Sequence, residues 1–197
     1  MRRLLLAVGI ALLVVASAPP LSSSAGHSLT AHMVQHALVG DVAPLLVVLG
    51  ADVAVTWLHP AAALLLWALT RAIWHYPSLF DAAVAHPALH VLEHACLLAG
   101  GLALWAVVLG RTRAGLGVRI GLDAAFQLGS TALGLTFVFA ATPLFPHYVA
   151  HHSFAAPLTD QRAAGAVMMG ENTIVAFSLL AWLLLGLFRE EQPAPLA

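Results

Sequence analysis

The chain has 197 residues, 61% of them hydrophobic and only 9% charged, with a mean hydropathy of +0.92. Soluble globular domains carry roughly 25% charged residues, so the composition excludes a soluble domain and places the chain in the lipid bilayer. A net charge of −1 with no lysine argues against a nucleic-acid partner, and a single cysteine, Cys96, excludes an intrachain disulfide or a cysteine-only metal site.

Residues 1–25 read as a signal peptide or signal anchor. Arg2 and Arg3 precede Leu4 to Ala18, fifteen largely apolar residues, fewer than the ~20 that a spanning helix needs. Ser23-Ser24-Ala25 offers a small-residue cleavage site, and an uncleaved first span is the alternative. Five long apolar segments follow, at 28–50, 53–75, 88–110, 116–141 and 161–188. Pro60 either interrupts the second segment or marks its start. Inside lipid only a helix satisfies its own backbone, so the expected fold is all-α. The prediction is a polytopic transmembrane helix bundle of five spans plus an N-terminal signal peptide or sixth span. The bundle occupies 26–188, and 189–197 form a polar cytoplasmic tail.

Arginine sets the orientation. Arg111, Arg113 and Arg119 crowd the connection between the third and fourth segments, and Arg189 follows the fifth. Positive charge is retained in the cytoplasm, so these ends lie inside, in agreement with Arg2 and Arg3. Ten of the eleven histidines then fall on the outer side, His59 being the exception.

Those histidines are spaced for shared work. His32 and His36 stand one turn apart on one face of the first segment, and His90 and His94 repeat the spacing on the third. Imidazole is the commonest metal ligand and is costly to place among apolar residues, so paired imidazoles on two spans point to a metal between them. His86 lies a turn before His90, and His75 ends the second segment. Glu93 is placed to orient a ligating imidazole from outside the ligand shell. In a zinc-protease helix the glutamate directly follows the first histidine, which is not the order here, so proteolysis is set aside. His147, His151 and His152 lie between Pro146 and Pro157, as a lid, an entry site or a solvated loop. Their spacing also matches a box of membrane di-iron desaturases.

Met33, Met168 and Cys96 are soft donors that suit Cu(I), although most methionines in apolar helices only pack. Asp41, Arg71 and Glu171 are charges within or near the membrane, which are either functional or paired inside the bundle. Asp41 or Glu93 is the expected partner of Arg71.

In order along the chain, several stretches resemble the CtaG family of multi-spanning cytochrome c oxidase assembly factors. They are Ala31-His32-Met33-Val34-Gln35-His36 with Ala43-Pro44-Leu45-Leu46, Trp74-His75-Tyr76-Pro77-Ser78-Leu79-Phe80-Asp81, and His86-Pro87 with His90-Val91-Leu92-Glu93-His94. The last is Pro157-Leu158-Thr159-Asp160-Gln161 with Ala164-Gly165 and Met168. Met169-Gly170-Glu171 departs from the family pattern, where a tryptophan and a later glycine are expected. The resemblance implies a multi-pass protein of the bacterial plasma membrane that handles copper at its outer face for a haem–copper oxidase subunit. Asp160 and Asp41, with Glu93 and Arg71, are then candidates for the shell around the ligands. The expected function is a non-enzymatic assembly factor with no catalytic residue. The alternatives are a membrane di-iron oxygenase or desaturase, a b-type cytochrome holding haem between the first and third segments, and a scaffold without metal.

Overall fold

A computed structural model describes residues 1–151 and 155–190, so His152 and residues 191–197 of the expected tail lie outside the described residues. Among the described residues the regular elements are all helices, and one isolated backbone bridge joins Ala54 and Arg111. The helices are α1 (Arg2–Ser17), α2 (Leu21–Ala25), α3 (Leu29–Ala37), α4 (Ala43–Ala51), α5 (Pro60–Trp74), α6 (Pro77–Ala85), α7 (Pro87–Leu109), α8 (Leu116–Phe139), α9 (Pro146–His151) and α10 (Pro157–Glu190). A π-turn, Leu38–Val42, joins α3 to α4 in one rod.

Four helices are long and apolar enough to cross a membrane: Leu29–Ala51, Pro87–Leu109, Leu116–Phe139 and Pro157–Gly186. They match four of the five expected segments. The second segment yields a helix of only 15 residues, because Pro60 opens it instead of interrupting it. Proline lacks the N–H that a first helical residue would leave unpaired, and its φ is preset for a helix. Pro77, Pro87, Pro146 and Pro157 start α6, α7, α9 and α10 in the same way.

The start of α3 is held from across the bundle. The Asp160 carboxylate on α10 accepts hydrogen bonds from the backbone N–H groups of Leu29 (2.7 Å) and Thr30 (3.1 Å) and from the Thr30 hydroxyl (2.6 Å). Ser28 adds a local cap, its Oγ accepting from the Ala31 N–H. Two free N–H groups of a helix start are thereby satisfied by a residue 130 positions away.

Helices α3–α4 and α7 cross where glycine permits it. A Cβ on Gly101 would collide with the carbonyl oxygen of Gly40, inside the π-turn. Small residues at such a crossing let two spanning helices approach backbone to backbone. Trp105, one turn further on, donates its indole N–H to the Asp41 carbonyl at 3.0 Å and fixes the contact. This crossing brings the first and third apolar segments together.

Helix α1 lies along α4. A Cβ on Gly50 would run into the backbone of Leu6, and Gln35 donates its side-chain amide to the carbonyl of Ala16 at 2.6 Å. Asp52, after α4, pairs with Arg2 at 2.7 Å and with Arg111 at 3.3 Å. Arginines from the N-terminus and from the α7–α8 connection thus meet at one end of the bundle, opposite the paired histidines. The core has two parts: one around Trp67, Leu104, Trp105 and Phe126 towards the arginine end, and one around Leu29, Met33, Phe80, Phe137 and Phe145 towards the histidine end.

Candidate metal centre

The Gly40–Gly101 crossing sets α3 beside α7, and one turn before Gly40 the two histidine pairs face each other. The ring centroids of His32 and His90 are 5.1 Å apart, and those of His36 and His94 are 5.5 Å apart. His32, His36 and Glu93 are almost wholly enclosed, with 0–2% of their surface exposed. Phe80 of α6 closes one side, its ring 4.7 Å from that of His32.

Hydrogen bonds assign the imidazole tautomers. The Tyr148 hydroxyl of α9 donates its only hydrogen to the Ala25 carbonyl at 2.7 Å, so it accepts from Nδ1–H of His32 at 2.8 Å. His32 is therefore left with a lone pair on Nε2. His75 Nδ1 faces the Arg71 carbonyl at 2.9 Å, which only accepts. His75 Nε2 is then an acceptor, and it faces Nδ1 of His36 at 3.4 Å. His36 likewise turns an Nε2 lone pair inward.

The two Nε2 atoms lie 2.9 Å apart. The Glu93 carboxylate stands 3.3 Å from Nε2 of His36 and 3.6 Å from Nε2 of His32. Nε2 of His90, Nε2 of His94 and both Glu93 oxygens are buried without a hydrogen-bond partner. Lone pairs gathered this closely in an apolar surround repel one another unless a proton or a cation lies among them. One ligand atom each from His32, His90, Glu93 and His94 falls within 4.8 Å of the others. Ligands at about 2 Å from a tetrahedral ion stand roughly 3.3 Å from one another, so the cluster has the dimensions of a metal site. Three or four imidazoles and one carboxylate suit a divalent transition ion, and the residues present fit such an ion.

The remaining candidates are distributed around this centre. Glu93, read from sequence as orienting a ligand, offers an oxygen to the group itself. His75 contacts His36 and orients it. Arg71 pairs with Asp41, at 2.5 Å, and not with Glu93. Asp160 is engaged in capping α3. His86 is exposed at the start of α7. His147 donates to the Gly26 carbonyl through Nε2 at 3.0 Å, and His151 bonds the His147 carbonyl through Nδ1 at 3.0 Å, so both lie in the α9 cover. Met33 and Met168 line a separate cavity with His36.

Sequence reasoning passed over Tyr148 and Phe80. Tyr148 stands inside the histidine-rich stretch, and Phe80 inside the Trp74–Asp81 stretch. No spacing rule links either to α3, because their contacts are made only by the packed bundle.

The centre defines a class of protein: a membrane-embedded helix bundle with a buried histidine–carboxylate cluster at one end. The chain matches the family described as cytochrome c oxidase caa3 assembly factor, Caa3_CtaG, over residues 1–190. It belongs to that family. It shows no significant similarity to a curated protein or to a solved structure.

Proposed function

We propose that this protein binds copper between α3 and α7 and presents it to a subunit of a haem–copper oxidase during assembly. The observation that carries the reading is the convergence of His32, His90, Glu93 and His94, one ligand atom from each within 4.8 Å of the others, with Nε2 of His36 beside His32 and Glu93. Family membership supplies the oxidase as client, and the donor set favours the divalent ion. The site is reached from the periplasmic or extracellular side, since the arginine end, with Arg2, Arg111 and Arg119, belongs in the cytoplasm. On this topology α5 crosses as the fifth span. Helix α1 remains in the mature protein as a sixth, because removing residues 1–25 would strip Leu6 from Gly50 and the carbonyl partner from Gln35.

The rings of α3 and α7 approach so closely that no macrocycle passes between them, which speaks against haem. A di-iron centre needs donors for two ions, and the group formed by His32, His90, Glu93 and His94 has the size of a site for one.

The test is the copper content of the purified wild type beside the His32→Ala/His36→Ala/His90→Ala/His94→Ala variant. Copper near one per chain in the first and near none in the second supports the site. Equal copper in both removes it. Deletion of the gene, with oxidase activity measured with and without added copper, tests the client. Full activity in the deletion strain would end the assembly role.

A further inference from the structure

Past His36, on the side of α3 turned towards α8 and α10, lies a second enclosed space. It is a cavity of about 10 Å³, the size that holds roughly one water or one ion. Met33, Ser130, Met168 and Glu171 line it, and His36 and the Asp41–Arg71 ion pair close it. Two of its polar side chains have an atom that no protein group satisfies. Ser130 is 3% exposed and its hydroxyl has no hydrogen-bond partner, and Oε1 of Glu171 is buried without one.

Charge decides what such a space takes. Arg71 neutralises Asp41 at 2.5 Å, so Glu171 is left as the unpaired acid of the cavity. A carboxyl buried in the membrane without a basic partner holds either a proton or a cation. The other lining groups are two thioethers, buried at 0% and 6% exposure, and one hydroxyl. Thioethers are neutral, soft donors that select Cu(I) and its analogues over divalent ions. A singly charged cation that displaces the Glu171 proton leaves the net charge of the cavity unchanged.

We infer that this cavity is a second metal position, specific for a monovalent soft cation of the Cu(I) class, with Met33 and Met168 as sulfur donors and Glu171 as the counter-charge. It is separate from the histidine–carboxylate centre and shares with it only the wall formed by His36. A bundle with both would hold a nitrogen- and oxygen-donor site near its outer end and a sulfur-donor site deeper inside, each selecting its own oxidation state. The inference does not depend on the function proposed above.

Silver(I) is the probe, as a Cu(I) analogue that does not change oxidation state. The full-length protein in detergent is titrated separately with Ag(I) and with Cu(II), and the silver-loaded wild type is examined by X-ray absorption. The expected result is a sulfur neighbour in the silver shell. Glu171→Gln and Met33→Leu/Met168→Leu should each weaken silver uptake by about tenfold or more and leave Cu(II) uptake unchanged. His90→Ala/His94→Ala should do the reverse. A silver shell without sulfur in the wild type overturns the inference whether or not the variants fold. So does silver uptake that is indifferent to Met33, Met168 and Glu171, in which case the cavity holds only a proton and a water. Loss of Cu(II) binding alone bears on the histidine centre and leaves this one standing.

Discussion

Tyr148 holds His32 by its Nδ1 edge, hydroxyl to ring nitrogen at 2.8 Å, across 116 residues of sequence. Burial, together with the carboxylates of Glu93, Asp160 and Asp81, pushes the phenol's pKa upward, so it remains a neutral hydroxyl throughout the physiological range. As it donates to Ala25, it is a fixed acceptor for His32.

Tyr148→Phe keeps the ring that packs in the upper core and removes both the acceptor of His32 and the donor to Ala25. Metal affinity is expected to fall about 10- to 100-fold, the usual consequence of losing the partner of a ligating imidazole. Because His32 and Ala25 each lose a buried hydrogen-bond partner, the bundle is also expected to lose about 1–3 kcal/mol of stability. Equilibrium titration with Cu(II) and a melting curve on the same variant check this; an unaltered affinity would show that Tyr148 does not orient the ligand.

Binding should also depend on pH in a definite direction. Protons compete with the ion for every inward Nε2 atom. Affinity therefore falls once the pH is low enough to protonate the enclosed imidazoles, and in that range protons are released on binding. Proton release can be followed by calorimetry in buffers of different ionisation enthalpy. Copper retained in full at a pH low enough to protonate every imidazole would contradict imidazole ligation.

The Asp41–Arg71 pair offers a stability test. Both side chains are buried, at 1% and 7% exposure. Arg71→Leu strands a carboxylate in the bundle and is expected to destabilise it by about 3–5 kcal/mol. Asp41→Asn/Arg71→Leu removes both charges and should recover most of the loss. Denaturation of the two variants in one detergent gives the comparison, and a double variant no more stable than the single one would count against the pairing.

Gly101 predicts a distance effect. In Gly101→Val the new side chain meets the Gly40 carbonyl, and α7 must move away from α3–α4. Overpacking of this kind is expected to destabilise by about 1–3 kcal/mol. Because the imidazoles of α3 face those of α7, the same change should lower copper uptake although no ligand has been altered. Metal content and melting temperature should fall together.

Much of the architecture was legible in the sequence for a simple reason: hydropathy is a one-dimensional property. Apolar runs gave four spanning helices to within a few residues, from Leu29–Ala51 to Pro157–Gly186. The second segment was misjudged in length because Pro60 has two meanings, break or start, and local sequence does not choose between them. The i,i+4 spacing placed His32 with His36 and His90 with His94 on shared faces, since helical periodicity needs no tertiary information.

By itself the sequence determined that the chain lies in a bilayer, that its histidines gather at one end, and to which family it belongs. Only the tertiary structure decided which groups meet. The crossing at Gly40 and Gly101 joined the two histidine pairs, Arg71 took Asp41 as its partner in preference to Glu93, and Asp160 went to the start of α3. Met33 and Met168 were turned to a different cavity from the imidazoles. The physical reason is that helical period fixes the face a residue occupies along its own axis. The neighbour which that face meets depends on helix crossings and on backbone groups left free elsewhere, and these exist only in the folded bundle.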